Sequence, residues 1–154
     1  MRKMAEMMSF IDMLNFLMRR EDTSAIFFSS AAESTTDSTL KEIFQSLMKK
    51  CKDRKSLLRH ILGLEGGLST RKEIQIDSIR EYLVDVKPRS DISDLQALAL
   101  GGLRAETSEK LYARISLIIS EPESKEIFEQ LHGDHRLQRQ LCNCLYDQRL
   151  EKES

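Results

Sequence analysis

Cysteine is scarce in this chain: three residues, an odd number that forms no disulfide framework and so favours a reducing compartment over a secreted one. Proline occurs twice and glycine six times, tryptophan is absent and aromatics are few, while 32% of residues are charged. That balance fits a mainly helical chain with solvated outer faces. An excess of positive charge is also missing. The formal net charge of −1 argues against a general nucleic-acid or polyanion partner, leaving only a local patch open. Long apolar runs are missing too. Met1 to Met18 is rich in apolar residues after Arg2 and Lys3, but Glu6, Asp12 and Asn15 interrupt it. It never reaches the roughly 18 apolar residues of a membrane span, and no small-residue cleavage site follows. No glycine-rich phosphate loop, nucleophile elbow or Cys-x-x-Cys segment is found. The expectation is a cytoplasmic chain with no membrane partner and a single domain over residues 1–154.

What is present is a repeat. Lys41-Glu42-Ile43-Phe44-Gln45-Ser46-Leu47 returns as Lys125-Glu126-Ile127-Phe128-Glu129-Gln130-Leu131, an offset of 84 residues (125 − 41 = 84). Two copies fit, which points to a duplicated helical hairpin. The first hairpin is expected over about 5–64, a long crossover over 65–90, and the second hairpin over about 91–150.

Helical periodicity supplies the seams. A first helix from about Ala5 to Glu33 carries Leu14, Leu17, Glu21, Ser24, Phe28 and Ala31, so Glu21 sits in an apolar stripe. Its first half is apolar all round, and a homodimer contact through this helix would cover it. A methionine-rich core filler is the alternative. After the polar turn Ser34 to Ser38, a second helix from about Thr39 to Leu64 reads Leu40, Phe44, Leu47, Cys51, Arg54, Leu58, Ile61, and Gly66-Gly67 stops it. Arg54 thereby occupies a core-facing slot; a misjudged register would put it on the surface instead. Ser78 to Asp85 suits a short helix inside the crossover, before Lys87-Pro88. A third helix, capped by Asp91 or Ser93 and running to about Ser120, reads Leu98, Gly102, Ala105, Ser108 or Glu109, Tyr112, Ile115, Ile119. A fourth starts at Ser120-Glu121-Pro122 and reads Phe128, Leu131, His135, Gln138, Cys142, Leu145. The fold class is all-α, a four-helix bundle with one long connection.

In this order the segments resemble the rubrerythrin branch of the ferritin-like superfamily, over almost the whole chain. In that family each half carries a glutamate seven residues before an aromatic, and the next helix carries Phe-x-x-Leu-x-x-x-Glu-x-x-His. Together these bind two metal ions inside the bundle. Glu21, seven residues before Phe28, matches the first glutamate. Phe44-x-x-Leu47 then places Cys51 at the glutamate position and Arg54 at the histidine position. In the second half the expected glutamate is Ala105, and Phe128-x-x-Leu131 places His135 and Gln138 at the remaining two positions. Five of the six ligands that the resemblance implies are replaced. Glu106 lies one residue from Ala105, but a shift of one turns its carboxylate about 100° around the helix.

Two divalent ions need several bridging carboxylates and hard oxygen ligands. A guanidinium stays protonated and repels them. Arg54 is therefore expected to stand in for a cation and pair with Glu21. No cofactor is expected. The alternative is a single zinc or iron ion on Glu21, Cys51 and His135, against the plainer reading of a core cysteine and a hydrogen-bonded core histidine. Cys142 is expected in the core and Cys144 outside; positions two apart do not face each other. The run Lys49 to Lys55 with Arg59 reads as a solvated face with Cys51 and Arg54 turned inward. His60 and His132 have no evident partner. Function is expected to be that of a non-catalytic binding or interaction module. The alternative is a peroxidase-like or ferroxidase-like oxidoreductase with an atypical centre of Glu21, Cys51, His135 and Glu106. A third possibility is a small anion beside Arg54, in volume freed by Gly101, Gly102 and Ala105.

Overall fold

Ser9 and Ser93 each have an extended backbone and start a helix. The Ser9 hydroxyl accepts from the Asp12 N–H and the Ser93 hydroxyl from the Gln96 N–H, each satisfying an N–H left open by the first turn. In the second case Gln96 returns a bond to the Ser93 N–H, completing a capping box. The computed structural model describes residues 7–65, 73–75 and 92–153. Its helices are α1 (Phe10–Ser34), α2 (Ser38–Glu65), α3 (Asp94–Ile118) and α4 (Pro122–Glu153). The Asp37 carboxylate caps α2 through the Thr39 and Leu40 N–H groups. Glu121 does the same for α4 through Glu123 and Ser124, with Pro122 at the first helical position, where its missing N–H costs nothing.

Every one of these caps has its twin at the repeat offset: Ser9 with Ser93, Asp37 with Glu121. At the far ends, the Thr35 N–H bonds the Ala31 carbonyl and the Ile119 N–H bonds that of Ile115. Duplication is thus preserved through both helix ends and both turns without an inserted residue. α1 packs chiefly on α2 and α3 chiefly on α4, giving two hairpins. The bonds Arg20 to Ser108 and Arg104 to Ser24 run in opposite order along the chain, so α1 and α3 lie antiparallel across the bundle.

At the start of the chain the structure departs from the sequence reading. Met7–Ser9 is a short strand, β1, not the first turns of α1. It pairs antiparallel with β2 (Glu73–Gln75) in the crossover, Met8 opposite Ile74. The Ser9 cap stops the helix there, because its extended backbone cannot continue into helical geometry. The short helix expected over Ser78 to Asp85 lies outside the described residues.

Two apolar cores fill the bundle. One gathers Phe10, Leu14, Leu17, Leu58, Ile115 and Leu131 with their neighbours; the other gathers Phe28, Leu40, Phe44, Leu47, Leu98 and Cys142. Phe10, Met13, Leu14, Leu17 and Met18 are buried within the chain itself, as a methionine-rich core filler would be. Among the described residues, no helix is long and apolar enough to cross a membrane.

Candidate functional site

Between the two apolar cores lies a layer of buried polar side chains. α1 reaches it at Arg20, Glu21 and Ser24, between its two apolar stretches, and α2 reaches it at Cys51 and Arg54. α3 contributes Arg104, Ala105, Ser108 and Tyr112, and α4 contributes His135 and Gln138. Cys51 and Arg54 are three residues apart on one face of α2, as His135 and Gln138 are on α4. The six positions picked out by the sequence are therefore all interior, and five of them, all but Ala105, form one hydrogen-bonded network.

Its centre is Glu21. Arg54 Nε donates to both carboxylate oxygens, at 3.2 Å to Oε1 and 3.1 Å to Oε2, and His135 Nε2 donates to Oε1 at 2.9 Å. The same guanidinium uses Nη2 toward Gln138 Oε1 at 2.9 Å and Cys51 Sγ at 3.4 Å. The expected Glu21–Arg54 pair is present, with both side chains 3% exposed. Arg54 and Gln138 are themselves repeat twins, so the contact crosses the pseudo-symmetric centre of the fold.

Burial sets the protonation states. On its own it would push the Glu21 carboxyl up, but His135 and Arg54 outweigh it and hold it below the usual carboxylate range. It would likewise lower Arg54, yet the Glu21 charge more than reverses that, so the guanidinium stays charged. For His135 the balance falls the other way: burial outweighs the attraction of Glu21 and keeps the ring neutral. A carboxylate only accepts, so the single ring proton sits on Nε2, and Nδ1 is a bare lone pair with no hydrogen-bond partner. Tyr112 stacks on this ring at 5.2 Å, its hydroxyl enclosed and also without a partner. Its phenol stays protonated because burial raises it well above the ordinary value. The Cys51 thiol is pushed up to about 12, mainly by burial and then by the Glu21 charge, so it too is neutral.

These residues do not fit a pair of divalent ions. The one carboxylate is already engaged by three N–H contacts, the Gln138 oxygen is taken by Arg54, the thiol is protonated, and Ala105 offers a methyl group. Glu106 is no replacement: it is half-buried at the outer side of α3 and pairs with Lys110 at 3.2 Å, one turn along the same helix. Nor do Glu21, Cys51 and His135 make a single-ion site. Arg54 bonds both Glu21 and Cys51, and among the described residues no group of three or more His, Cys, Asp or Glu side chains could hold a metal. The volume expected beside Gly101 and Gly102 is filled as well. A Cβ on Gly101 would meet Cys142 Sγ and Phe28 Cε1, both at 3.2 Å, and one on Gly102 would meet Asn143 Oδ1 at 2.6 Å. Those glycines serve close helix packing.

Sequence reasoning missed Arg20 and Arg104. Both are buried; Arg20 Nε donates to Ser108 Oγ at 3.1 Å, and Arg104 Nε donates to Ser24 Oγ at 3.1 Å. The signal was available: arginine and serine are each kept at the repeat offset, Arg20 with Arg104 and Ser24 with Ser108. Two histidines also have partners that the sequence did not reveal. His60 Nε2 lies 3.0 Å from Glu123 Oε1. His132 Nδ1 reaches the Glu109 carbonyl, and its Nε2 meets Arg136. Lys49, Lys50, Lys52 and Arg59 are exposed, as a solvated face requires, and Cys142 is buried while Cys144 is exposed.

No protein-family model matches the chain, and no curated protein matches it by sequence. Among solved structures it is similar to a hypothetical protein from Pyrococcus furiosus, at a TM-score of 0.69 and 18% identity, over 90% of this chain and 88% of that one. A likeness at that identity carries the all-α, four-helix fold and no activity.

Proposed function

We propose that this chain is a ferritin-like protein of the rubrerythrin kind whose metal-binding interior has given way to an ion-pair network, and that it acts as a non-catalytic binding module. One observation carries the reading: Arg54 Nε stands within 3.2 Å of both Glu21 oxygens, where an ion would need that carboxylate. A permanently charged guanidinium at this distance opposes any divalent cation. The buried pair adds little net stability by itself, since desolvation of both groups offsets their attraction. Metal content measured on protein purified without chelator tests the reading. Well under one equivalent of iron, manganese or zinc per chain is expected, with no metal-dependent peroxide turnover; two equivalents, or turnover that follows metal loading, would overturn it in favour of an atypical oxidoreductase.

A homodimer through α1 belongs to the same reading. It would use the half-buried Ile11, Asn15 and Phe16 in the first half of that helix, where Phe10, Met13, Leu14, Leu17 and Met18 are enclosed by the chain itself. Sedimentation at micromolar concentration decides it, a monomer removing this part.

A further inference from the structure

Beside the buried network, α2 and α4 part to leave a cleft of about 240 Å³, lined by Lys50, Asp53, Arg54 and Leu57 from one helix and Gln130, Asp134 and Leu137 from the other. Arg54 is the link between the two. Its Nε and Nη2 are spent on Glu21, Gln138 and Cys51, while Nη1 has no acceptor among the described residues. Nor is Nη1 one of the enclosed atoms left without a partner, which are Tyr112 Oη, His135 Nδ1 and Arg149 Nε. A guanidinium fixed by three neighbours therefore leaves Nη1 as the donor for a ligand in the cleft that Arg54 lines, at no further ordering cost. Lys50, Asp53 and Asp134 likewise make no ion pair among the described residues.

The charges of the lining decide what fits. Arg54 is balanced by Glu21, so the walls carry one cation, Lys50, against two anions, Asp53 and Asp134. A simple anion gains little there. Lys50 and Arg54 are one turn apart on α2, and Asp134 stands on the opposite wall, so one end of a ligand meets donors while the other meets a carboxylate. Leu57 and Leu137 supply the apolar surface, and the volume suits a small metabolite rather than a nucleotide. We infer that this cleft binds a small zwitterion of the α-amino-acid class, its carboxylate on Arg54 Nη1 and Lys50, its ammonium on Asp134, and an aliphatic side chain against Leu57 and Leu137.

The inference rests on the binding-module reading above, and its test separates the two. Calorimetric titration of the full chain uses L-leucine, 4-methylpentanoate, which lacks the amine, and 3-methylbutylamine, which lacks the carboxylate. Leucine binds saturably and each fragment at least tenfold more weakly. Asp134→Asn, a part-exposed position outside the network, weakens leucine at least tenfold without shifting the melting temperature. Metal-free protein that binds none of the three probes overturns the cleft assignment alone. So does equal binding of leucine and 4-methylpentanoate, or an Asp134→Asn variant with parental affinity. Stoichiometric metal in the same preparation would overturn the function reading instead.

Discussion

Arg20 on α1 and Arg104 on α3 make the same contact in opposite directions: Arg20 Nε donates to Ser108, and Arg104 Nε to Ser24, each at 3.1 Å. Their positions differ by the repeat offset of 84, and Arg20 Nη2 also reaches the Arg104 carbonyl. A reciprocal pair of this kind marks the pseudo-twofold axis relating the hairpins. Ser24→Ala and Ser108→Ala should then cost nearly equal amounts, roughly 1.5–3 kcal/mol each, as loss of a hydrogen bond to a charged group does. Urea unfolding of the two variants checks this; a difference above about 1.5 kcal/mol would show that the halves are not equivalent here.

One turn away the symmetry is broken, and the energetics should differ in kind. Arg54→Ala leaves the Glu21 carboxylate buried beside only His135, Tyr112 and the other interior groups, and should lower stability by about 3–5 kcal/mol. Replacing both members by apolar residues of similar volume, Glu21→Leu with Arg54→Met, removes the stranded charge and should recover most of that loss. Denaturant unfolding of the single and double variants makes the comparison. A single variant within about 1 kcal/mol of the parent would mean the ion pair does not organise this layer.

The hairpins, the starts of the last three helices and the inward register of Glu21, Cys51, Arg54, Ala105, His135 and Gln138 were legible in the sequence, whereas the Ser9 cap of α1 was not. A 3.6-residue period fixes which side chains share a face, and the repeat fixes the register of one half against the other. The interior geometry was less legible. That Arg54 would take Gln138 as well as Glu21 depends on how α2 and α4 cross, which no periodicity records. Arg20 and Arg104 escaped because an arginine flanked by Arg19 or Leu103 reads as the edge of a polar face, although the two stand at the repeat offset and each precedes an acidic residue by two positions, Asp22 and Glu106. The β1–β2 pairing was hidden because three-residue strands carry too little alternation to separate from a helix end.

Acid should weaken the protein in two successive pH windows. His135 is held neutral below its ordinary 6.5, so the unfolded chain takes up its proton first and stability falls as pH drops through about 6.5. Glu21 is held below its ordinary 4.5, so its share is present above that value and is lost as pH falls further toward its folded value. Both act in the same direction, since in each window the unfolded state binds more protons. Chemical unfolding between pH 8 and pH 5 should show a declining stability for the parent and a flatter one for His135→Asn. Equal slopes would assign the decline to other groups.

Packing around the two glycines of α3 should separate two substitutions that look alike. On Gly102 an added methyl meets the end of the exposed Asn143 side chain, which can turn aside, and the helix gains roughly 0.5–1 kcal/mol from alanine. Gly102→Ala should therefore stay close to the parent. On Gly101 the methyl meets Phe28 and Cys142, both fully buried and with no space to yield, and overpacking of that kind costs about 1–3 kcal/mol. Thermal melts of the two variants should rank Gly101→Ala well below Gly102→Ala, and the reverse order would place the α3–α4 contact elsewhere.

Thiol chemistry reads the same interior from outside. Burial pushes Cys51 and Cys142 up to about 12, so neither forms thiolate near neutral pH or meets a reagent, whereas Cys144 is exposed. A chromogenic disulfide reagent at pH 8 should titrate one thiol per chain quickly and the other two only after denaturant is added. Cys144→Ser should abolish the fast phase. Because Arg54 holds the Cys51 sulfur, Arg54→Met should expose a second reactive thiol if the network, rather than the apolar cores on either side of it, is what keeps that residue enclosed; a variant with one fast thiol would assign the protection to packing by those cores.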